Sequence, residues 1–374
     1  MRTRNLLIWI AALALLVGVA AVLAGCGGTT GTTTGTTTGT TAPGPIKIAL
    51  LLPETKTARY ETQDKPLFEK KVKELAPDAE ILYSNANQDA TQQQSQADAA
   101  LTNGANVLVL DPVDSASAAS IVTKAAAQKV PVISYDRLIL NAPVDYYVSF
   151  DNEQVGKLQG QALLDKLTGM GSAGKTIVMI NGAPTDNNAK LFKAGAHSIL
   201  DGKVKIGVEY DTPDWSPDKA QTEMDQAITK LGKSGFVGVY CANDGTAGGA
   251  IAAMKGAGID PKTRPTTGQD AELAGIQRVL LGEQYMTVYK AIKLEAAAAA
   301  ELAVALAKGE AVPSTLQLSK VNNGSKDVPS VLLTPVAVTK DNIKSTVVAD
   351  GFWTVPQILS TPELQAAGKA AGLQ

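Results

Sequence analysis

The chain has 374 residues, of which 45% are hydrophobic and 19% are charged, which suits two globular domains and excludes a largely disordered protein. Its formal net charge of −2 gives no reason to expect a nucleic-acid partner. One histidine and two cysteines are too few for a zinc site, an iron–sulfur site or a disulfide framework, so we expect no metal or other cofactor.

The first 26 residues predict an export signal. Arg2 and Arg4 precede the apolar run NLLIWIAALALLVGVAAVLA, and small residues lead directly to Cys26 in LAGC. This pattern resembles a bacterial lipobox, in which Cys26 would receive the lipid and become the mature N-terminus. The alternative is an uncleaved membrane anchor, because the apolar run is long enough to span a bilayer. Both interpretations put the protein outside the cytoplasm and tethered to a membrane.

Residues 27–44, GGTTGTTTGTTTGTTAPG, consist almost entirely of Gly and Thr. They lack apolar side chains that could pack into a core, so we predict a flexible tether. A random coil of this length spans on the order of 20–25 Å from end to end.

From residue 46 onward, apolar runs of strand length alternate with helical patterns. The first runs are IKIALLL (46–52), AEILYS, NVLVLDP and VPVISYD, separated by helices predicted near 63–76, 89–103 and 115–128. The later runs are KTIVMING, VKIGVEYD, GFVGVYCAND, RPTTGQD and QYMTVYK. Near-continuous apolar strands with helices between them are typical of a parallel sheet buried on both faces. We therefore predict an α/β fold with two doubly wound parallel-sheet lobes.

Polar and aromatic residues follow these strands, at the edge where doubly wound sheets bind ligands. They are Arg59 and Tyr60 in the first loop, Asp136 and Arg137, Asp186, Asn187 and Asn188, Trp215, Asn243 and Asp244, Gln269 and Asp270, and Lys290. Carboxylates accept hydrogen bonds, Arg and Lys donate them, Asn does both, and aromatic rings cover the C–H faces of a pyranose. Because acids and bases are balanced, the set suits a neutral polyhydroxylated molecule better than an anion.

Each of these residues also has a purely structural explanation. An Asp or Asn after a strand is often a helix N-cap or part of an Asx turn. A single Trp is more often packed in a core than placed against a ligand. The recurrence of such residues in both halves of the chain is what favours a binding site.

One glycine-rich segment does not fit a phosphate-binding loop. GMGSAGKT (169–176) matches two phosphate-binding patterns, but both require a preceding strand and a following helix. Here a predicted helix (153–168) precedes the segment and a strand follows it, so we interpret the segment as a turn.

Motifs in the same order along the chain resemble those of periplasmic xylose-binding proteins, the sugar-binding components of ABC transporters. They are YDR (135–137), SFDN (149–152), DNNAKLFKAG (186–195), ANDGTAGGAI (242–251), GQDAELAGI (268–276), MTVYK (286–290) and NNGSKDVPSVLLTP (322–335). The resemblance implies the type I periplasmic-binding fold, in which two lobes joined by three crossovers enclose a sugar. It implies an N-terminal lobe of residues 46–150 plus 291–332 and a C-terminal lobe of residues 151–290 plus 333–374.

Position by position, the resemblance implies ten ligand-binding residues. They are Arg59, Tyr60, Asp136, Arg137, Asn187, Asn188, Trp215, Asn243, Asp270 and Lys290. Within this set Asp136 and Arg137 match a pair that contacts sugar hydroxyls, Trp215 matches a stacking Trp, and Lys290 matches a Lys at the second crossover. The first loop departs most from the family, because Tyr60 stands where the family has Trp.

The resemblance further implies a monomeric binding lipoprotein, not an enzyme, that delivers xylose or a related monosaccharide to the membrane subunits of an ABC permease. One alternative is a sugar sensor for a chemoreceptor or a sensor kinase. A second alternative is a glycosidase in which Asp136 and Asp270 form the carboxylate pair. A sugar-responsive repressor is disfavoured, because an export signal occupies the place of a DNA-binding domain.

Overall fold

The computed structural model of the protein describes residues 44–373. The predicted signal peptide, its lipidation site Cys26 and the tether up to residue 43 lie outside these residues. Within the described part of the chain, none of the helices combines the length and the apolar character that crossing a membrane requires.

Strands and helices alternate as the hydrophobic pattern predicts. The strands are β1 (Lys47–Leu52), β2 (Glu80–Asn85), β3 (Val107–Leu110), β4 (Val132–Tyr135), β5 (Tyr146–Phe150), β6 (Thr176–Asn181), β7 (Lys205–Asp211), β8 (Val239–Cys241), β9 (Thr287–Tyr289), β10 (Ser319–Asn322), β11 (Asp327–Leu333) and β12 (Val336–Val338). The helices are α1 (Lys65–Leu75), α2 (Ala90–Thr102), α3 (Ala119–Ala127), α4 (Asn152–Gly169), α5 (Asn187–Leu200), α6 (Pro217–Leu231), α7 (Asp244–Gly256), α8 (Leu273–Leu281), α9 (Ile292–Lys308), α10 (Val355–Ile358) and α11 (Pro362–Ala370).

The first sheet has seven strands in the order β10-β11-β5-β4-β3-β1-β2. All neighbours are parallel except the edge pair β10 and β11. Successive side chains of β1 point to opposite faces. Ile48 and Leu50 join a core cluster with residues of α1 and α9, whereas Ala49 and Leu51 join one with residues of α2 and α3. Burial on both faces explains why the strand sequence is apolar throughout.

The second sheet is smaller, with three parallel strands in the order β7-β6-β8. Of the two further strands predicted at RPTTGQD and QYMTVYK, the second contains β9, and the first forms only an isolated parallel bridge to β8. Pro265 lacks an N–H, and only Thr266 forms a bridge with β8. The carbonyls of Thr266 and Gly268 accept hydrogen bonds from Tyr285 and Val288, so this segment still connects β8 to β9. Strand β9 pairs antiparallel with β12.

The chain passes between the two sheets three times. The passages lie between β5 and α4, between β9 and α9, and between β11 and β12, and α9 packs on the first sheet. The predicted α/β fold with parallel sheets and three crossovers is therefore confirmed, and β12 and β9 form an additional two-stranded sheet. The segment GMGSAGKT forms the turn between α4 and β6 that its sequence context predicts. The exact lobe boundaries remain a prediction.

Candidate functional site

A cavity lies where the ends of the two sheets meet. The cavity and the solvent space at its mouth together contain about 250 Å³ that is not occupied by atoms. The lining residues are Thr57, Tyr60, Asp136, Arg137, Asp186, Asn188, Phe192, Trp215, Asn243, Gln269, Asp270 and Lys290. Each is at most 5% exposed, so polar interactions in the cavity act with little competition from solvent.

Eight of the ten predicted ligand residues line this cavity, and Arg59 and Asn187 do not. Asn187 is the first residue of α5, and its backbone N–H donates to Ser115 Oγ at 3.1 Å. Successive helical residues point about 100° apart, so Asn188 lines the cavity while Asn187 does not. Arg59 lies outside the lining for a different reason, because its guanidinium lies behind Asp136, and its role as a ligand residue stays a prediction.

The first-sheet wall centres on Tyr60, Asp136 and Arg137. The Tyr60 hydroxyl donates to Asp136 Oδ2 at 2.9 Å and accepts from Arg137 Nη2 at 3.2 Å. Asp136 and Arg137 directly follow β4. This arrangement presents a carboxylate, a phenol and a guanidinium on one surface, which can both accept hydrogen bonds from hydroxyl groups and donate to them.

Behind this wall, Arg59 is only 2% exposed and contacts three carboxylates. Its Nη2 lies 2.6 Å from Asp64 and 2.6 Å from Glu295, and its Nη1 lies 3.3 Å from Asp136. Burial by itself would raise the pKa of Asp136, but Arg59, Lys290 and Arg137 outweigh that effect and lower it to about 2. The cavity-lining carboxyl of Asp136 is therefore ionised at neutral pH.

Arg137 is likewise surrounded by carboxylates. Its Nε lies 3.1 Å from Asp186 Oδ2 and 3.6 Å from Asp111 Oδ1, and its Nη2 lies 3.6 Å from Glu54 Oε1. Burial raises the pKa of Asp111 well above its usual range and also raises that of Asp186. These fixed contacts orient the guanidinium toward the cavity.

The opposite wall is built around Trp215. Its indole Nε1 donates to Asp186 Oδ2 at 3.1 Å, and Phe192 packs edge-on against the ring at a centroid distance of 6.3 Å. Gly182 lies directly behind the ring, where a Cβ atom would overlap Cη2 of Trp215. An aromatic ring held in this way forms a flat apolar surface for the C–H face of a ring-shaped ligand.

Two of the lining residues also cap helices. Asp186 is the N-cap of α5 and accepts from Asn188 N at 2.8 Å. Asn243 forms a capping box with Thr246 at the start of α7. Capping and lining of the cavity are therefore compatible at these positions. The side-chain amide of Asn188 reaches across to the first wall, where Nδ2 donates to the carbonyl of Asp136 at 2.9 Å.

Lys290 and Asp270 complete the cavity. Lys290 Nζ lies 2.9 Å from Asp270 Oδ1 and 3.9 Å from Asp136 Oδ1. Asp270 Oδ1 thus has the Lys290 ammonium as its neighbour, whereas Gln269 Oε1 is buried and, among the described residues, has no hydrogen-bond donor. Buried acceptors without a donor are costly, and a hydroxyl group in the cavity could supply that donor.

The backbone is strained at three of the lining residues. Asp136, Trp215 and Asp270 have φ values of 51°, 53° and 88°, a left-handed region that residues other than glycine rarely adopt. Such conformations concentrate at functional sites, where surrounding contacts hold them. This is a sign of a built site that is independent of side-chain chemistry.

Four lining residues were not among the ten predicted ligand residues. Asp186 and Gln269 belong to the strand-end pattern, although the resemblance does not assign them. Phe192 lies one helical turn after Asn188, so helical periodicity could have located it. Thr57 follows β1 in the first loop, and its sequence carries no comparable signal.

Comparisons with known proteins identify the family. The model of the family described as "periplasmic binding protein domain" matches residues 48–311. The chain is 40% identical over 312 residues to the D-xylose-binding periplasmic protein of Escherichia coli (82% of this chain, 91% of the relative). It is 38% identical over 318 residues to the protein of the same name from Haemophilus influenzae (84% and 92%).

Solved structures agree with this result. The fold matches an ABC transporter solute-binding protein from Clostridium phytofermentans, with bound β-D-glucose, at a TM-score of 0.75 and 29% identity. The match covers 83% of this chain and 99% of that structure. Fold and cavity thus define a type I periplasmic binding protein. Within that class, the chain belongs to the family of periplasmic xylose-binding proteins.

Proposed function

We propose that this protein binds xylose or a related monosaccharide in the cavity between its sheets and delivers it to the membrane subunits of an ABC permease. The main support is a buried cavity that combines the polar wall around Tyr60, Asp136 and Arg137 with the aromatic wall around Trp215, and into which the buried acceptor Gln269 Oε1 brings no donor of its own among the described residues. The relatives named for D-xylose and the solved relative that holds β-D-glucose support the same ligand class.

The energetics of this proposal are reasonable. Micromolar affinity corresponds to only about −8 kcal/mol. A pentose has about ten heavy atoms, and the best small ligands reach roughly −1.5 kcal/mol per atom. Several charge-assisted hydrogen bonds, each contributing a net of roughly 1.5–3 kcal/mol, would supply that affinity despite the entropy lost on binding.

Calorimetric titration with xylose, ribose, arabinose, glucose, galactose and a nucleoside tests the ligand. We expect saturable binding of at least one aldose and none of the nucleoside, because the two walls leave no room for a base in addition to a sugar. Absence of heat with every sugar, in protein that melts cooperatively, would contradict the proposal.

Membrane attachment through a lipid on Cys26 is the second part of the proposal. The LAGC sequence at the end of the apolar run supports it. Labelling with radioactive palmitate in a bacterial host, followed by N-terminal analysis, tests it: the wild type should take up the label and lose residues 1–25, and Cys26→Ala should take up no label. A wild type that takes up no label and retains residues 1–25 would instead support the uncleaved anchor.

A binding role is favoured over glycoside hydrolysis. A glycosidase needs one carboxyl group with a raised pKa as its general acid. Of the pair Asp136 and Asp270, Asp136 does not meet this requirement, because Arg59, Lys290 and Arg137 lower its pKa to about 2. Asp186, the lining carboxyl group whose pKa burial raises, already accepts hydrogen bonds from Trp215 and Asn188. We expect no turnover of aryl glycosides, and turnover abolished by Asp270→Asn would support the enzyme.

Capture of the membrane partner, a permease or a sensor kinase, separates transport from sensing.

A further inference from the structure

We propose that Arg59 does not bind the sugar but holds Asp136 in place for binding, and that Asp64 and Glu295 fix Arg59 for this role. The proposal rests on the proposed function, because Asp136 is taken as a sugar contact. Arg59 is next to Tyr60 in sequence, yet it lines none of the cavity.

The hydrogen bonds of the Arg59 guanidinium support this proposal. Arg59 forms a bidentate ion pair with Asp64, in which Nε and Nη2 donate to the two carboxylate oxygens at 2.9 and 2.6 Å. Nη2 also donates to Glu295 Oε2 at 2.6 Å. Only Nη1 remains for Asp136, at 3.3 Å from Oδ1. A guanidinium held by two carboxylates cannot rotate toward the cavity without breaking buried ion pairs.

The position of Asp136 is set by several neighbours, one of which is Arg59. Its carboxylate faces Arg59, Lys290 and the Tyr60 hydroxyl. Its carbonyl accepts from the side chains of Ser149 and Asn188 at 2.6 and 2.9 Å. The backbone is left-handed at this residue. Removal of one charged neighbour therefore changes both the position and the charge state of this carboxylate.

The pKa values of Glu295 and Asp136, both in contact with Arg59, are shifted in opposite directions. Burial raises the pKa of Glu295 well above its usual range, whereas Arg59 is the largest of the attractions that lower the pKa of Asp136. Asp136 thus keeps its negative charge while Glu295 is the more easily protonated member. Without Arg59, burial would dominate and the pKa of Asp136 would rise.

The same cluster connects the site to a chain passage between the sheets. Glu295 lies in the first turns of α9, which begins two residues after Lys290. The ion pairs form a continuous series from Glu295 through Arg59 and Asp136 to Lys290 and Asp270. Arg59 is therefore the link between helix α9 and the charged residues of the cavity.

Three substitutions test the proposal by calorimetric titration of the best-bound aldose between about pH 4.5 and about pH 7.5. Arg59→Met removes the charge, Arg59→Lys keeps the charge but not the forked geometry, and Glu295→Gln removes one anchor. Glu301→Gln is the matched control, since Glu301 is on the same helix and forms an ion pair with the partly exposed Lys71, away from the cavity.

We expect Arg59→Lys to weaken binding by roughly tenfold, the effect of one charge-assisted hydrogen bond. Glu295→Gln should weaken it by a smaller factor, because burial raises the pKa of Glu295 and a Gln oxygen can still accept from Arg59. The ratio of the Arg59→Met dissociation constant to that of the wild type should rise as the pH falls, because Asp136 would then become protonated. The ratio for Arg59→Lys should stay nearly constant with pH. A general loss of structure would not produce this difference between the two variants.

Three results would overturn the inference. Wild-type affinity in both Arg59→Lys and Glu295→Gln is the first, and a crystal structure with the aldose in direct contact with the Arg59 guanidinium is the second. If Arg59→Met does not fold, Tyr135→Phe replaces it, because the Tyr135 hydroxyl donates to Asp64, which holds Arg59, at 2.5 Å. Wild-type affinity in Tyr135→Phe is then the third result that would overturn the inference. If the wild type binds no sugar, the proposed function fails as well, so the two failures are distinguishable.

Discussion

Arg137 and Asp186 form an ion pair of 3.1 Å between Nε and Oδ2. The pair joins the residue that follows β4 of the first sheet to the N-cap of α5 beside the second sheet. Asp186 also accepts from the Trp215 indole. One carboxylate thus orients both the main cationic donor of the cavity and its aromatic wall.

Removal of Arg137 tests the polar wall. We expect Arg137→Ala to weaken aldose binding at least about tenfold, because a charge-assisted hydrogen bond contributes roughly 1.5–3 kcal/mol. Titration calorimetry measures the change, and Asp270→Ala should have an effect of similar size. Arg264→Ala is the control, since the Arg264 guanidinium donates to Thr263 and Lys233, which do not line the cavity. Undiminished affinity in both Arg137→Ala and Asp270→Ala counts decisively against the site.

Gly182 provides a test of the aromatic wall that leaves every polar group in place. A methyl group at this position would overlap the Trp215 ring, so Gly182→Ala should displace the ring and weaken binding by roughly two- to tenfold, as expected for a lost aromatic contact. Sugar-dependent quenching of Trp215 fluorescence should decrease in parallel, measured in a Trp353→Phe background. Gly245→Ala is the control, because a methyl group there meets only atoms at 3.5 Å or more. Equal affinity in both variants would show that Trp215 is not part of the site.

The Tyr60 hydroxyl is predicted to contribute through Asp136 and Arg137. Tyr60→Phe keeps the ring but removes a donor to Asp136 and an acceptor for Arg137. We expect roughly a five- to tenfold loss of affinity, in the range of one net hydrogen bond. Tyr210→Phe, a change near the second-sheet edge, should leave the dissociation constant unchanged. A Tyr60→Phe variant that binds as tightly as the wild type would remove the hydroxyl from the binding machinery.

Asp244 gives a prediction about stability and pH. Burial raises its pKa from 3.8 to about 7 in the folded protein. Between these values the folded state retains a proton that the unfolded state has lost, so the free energy of unfolding falls as the pH rises through this window. Glu272, whose pKa burial raises to about 8, adds to the same trend.

Asp244→Asn should therefore reduce the decline in melting temperature between about pH 4.5 and about pH 7. The carboxylate accepts from Gln284 and from the backbone of Glu272, so the variant should also be less stable at every pH. Asp225→Asn, at an exposed position, should retain the wild-type slope. An unchanged slope in Asp244→Asn would indicate that this group titrates outside the window.

The sequence predicted most of the architecture because burial on both faces produces apolar strands that are easy to identify. Periodicity does not reveal strand direction, so the antiparallel pairing of β9 with β12 was missed. The irregular strand around Thr266 also escaped prediction, because Pro265 breaks the ladder without changing the apolar pattern.

Most of the site could be predicted because parallel strands end at the same edge of a sheet. The rule locates a residue near that edge but does not fix the direction of its side chain. The rule therefore predicted both Arg59 and Tyr60 as ligand residues. In the structure the Arg59 guanidinium lies in a buried ion cluster, and the Tyr60 phenol lines the cavity. Phe192 was overlooked because it lies inside a helix, beyond the strand end.

The left-handed backbone at Asp136, Trp215 and Asp270 limits how this protein can diverge. Bulky β-branched replacements at those three positions would carry a conformational penalty whatever ligand they suited. Tyr60 and Phe192 lie on helical turns with ordinary dihedral angles. New sugar preferences should therefore arise at Tyr60 and Phe192 before they arise at the three strained positions, which makes these two residues the natural targets for a library that redesigns selectivity.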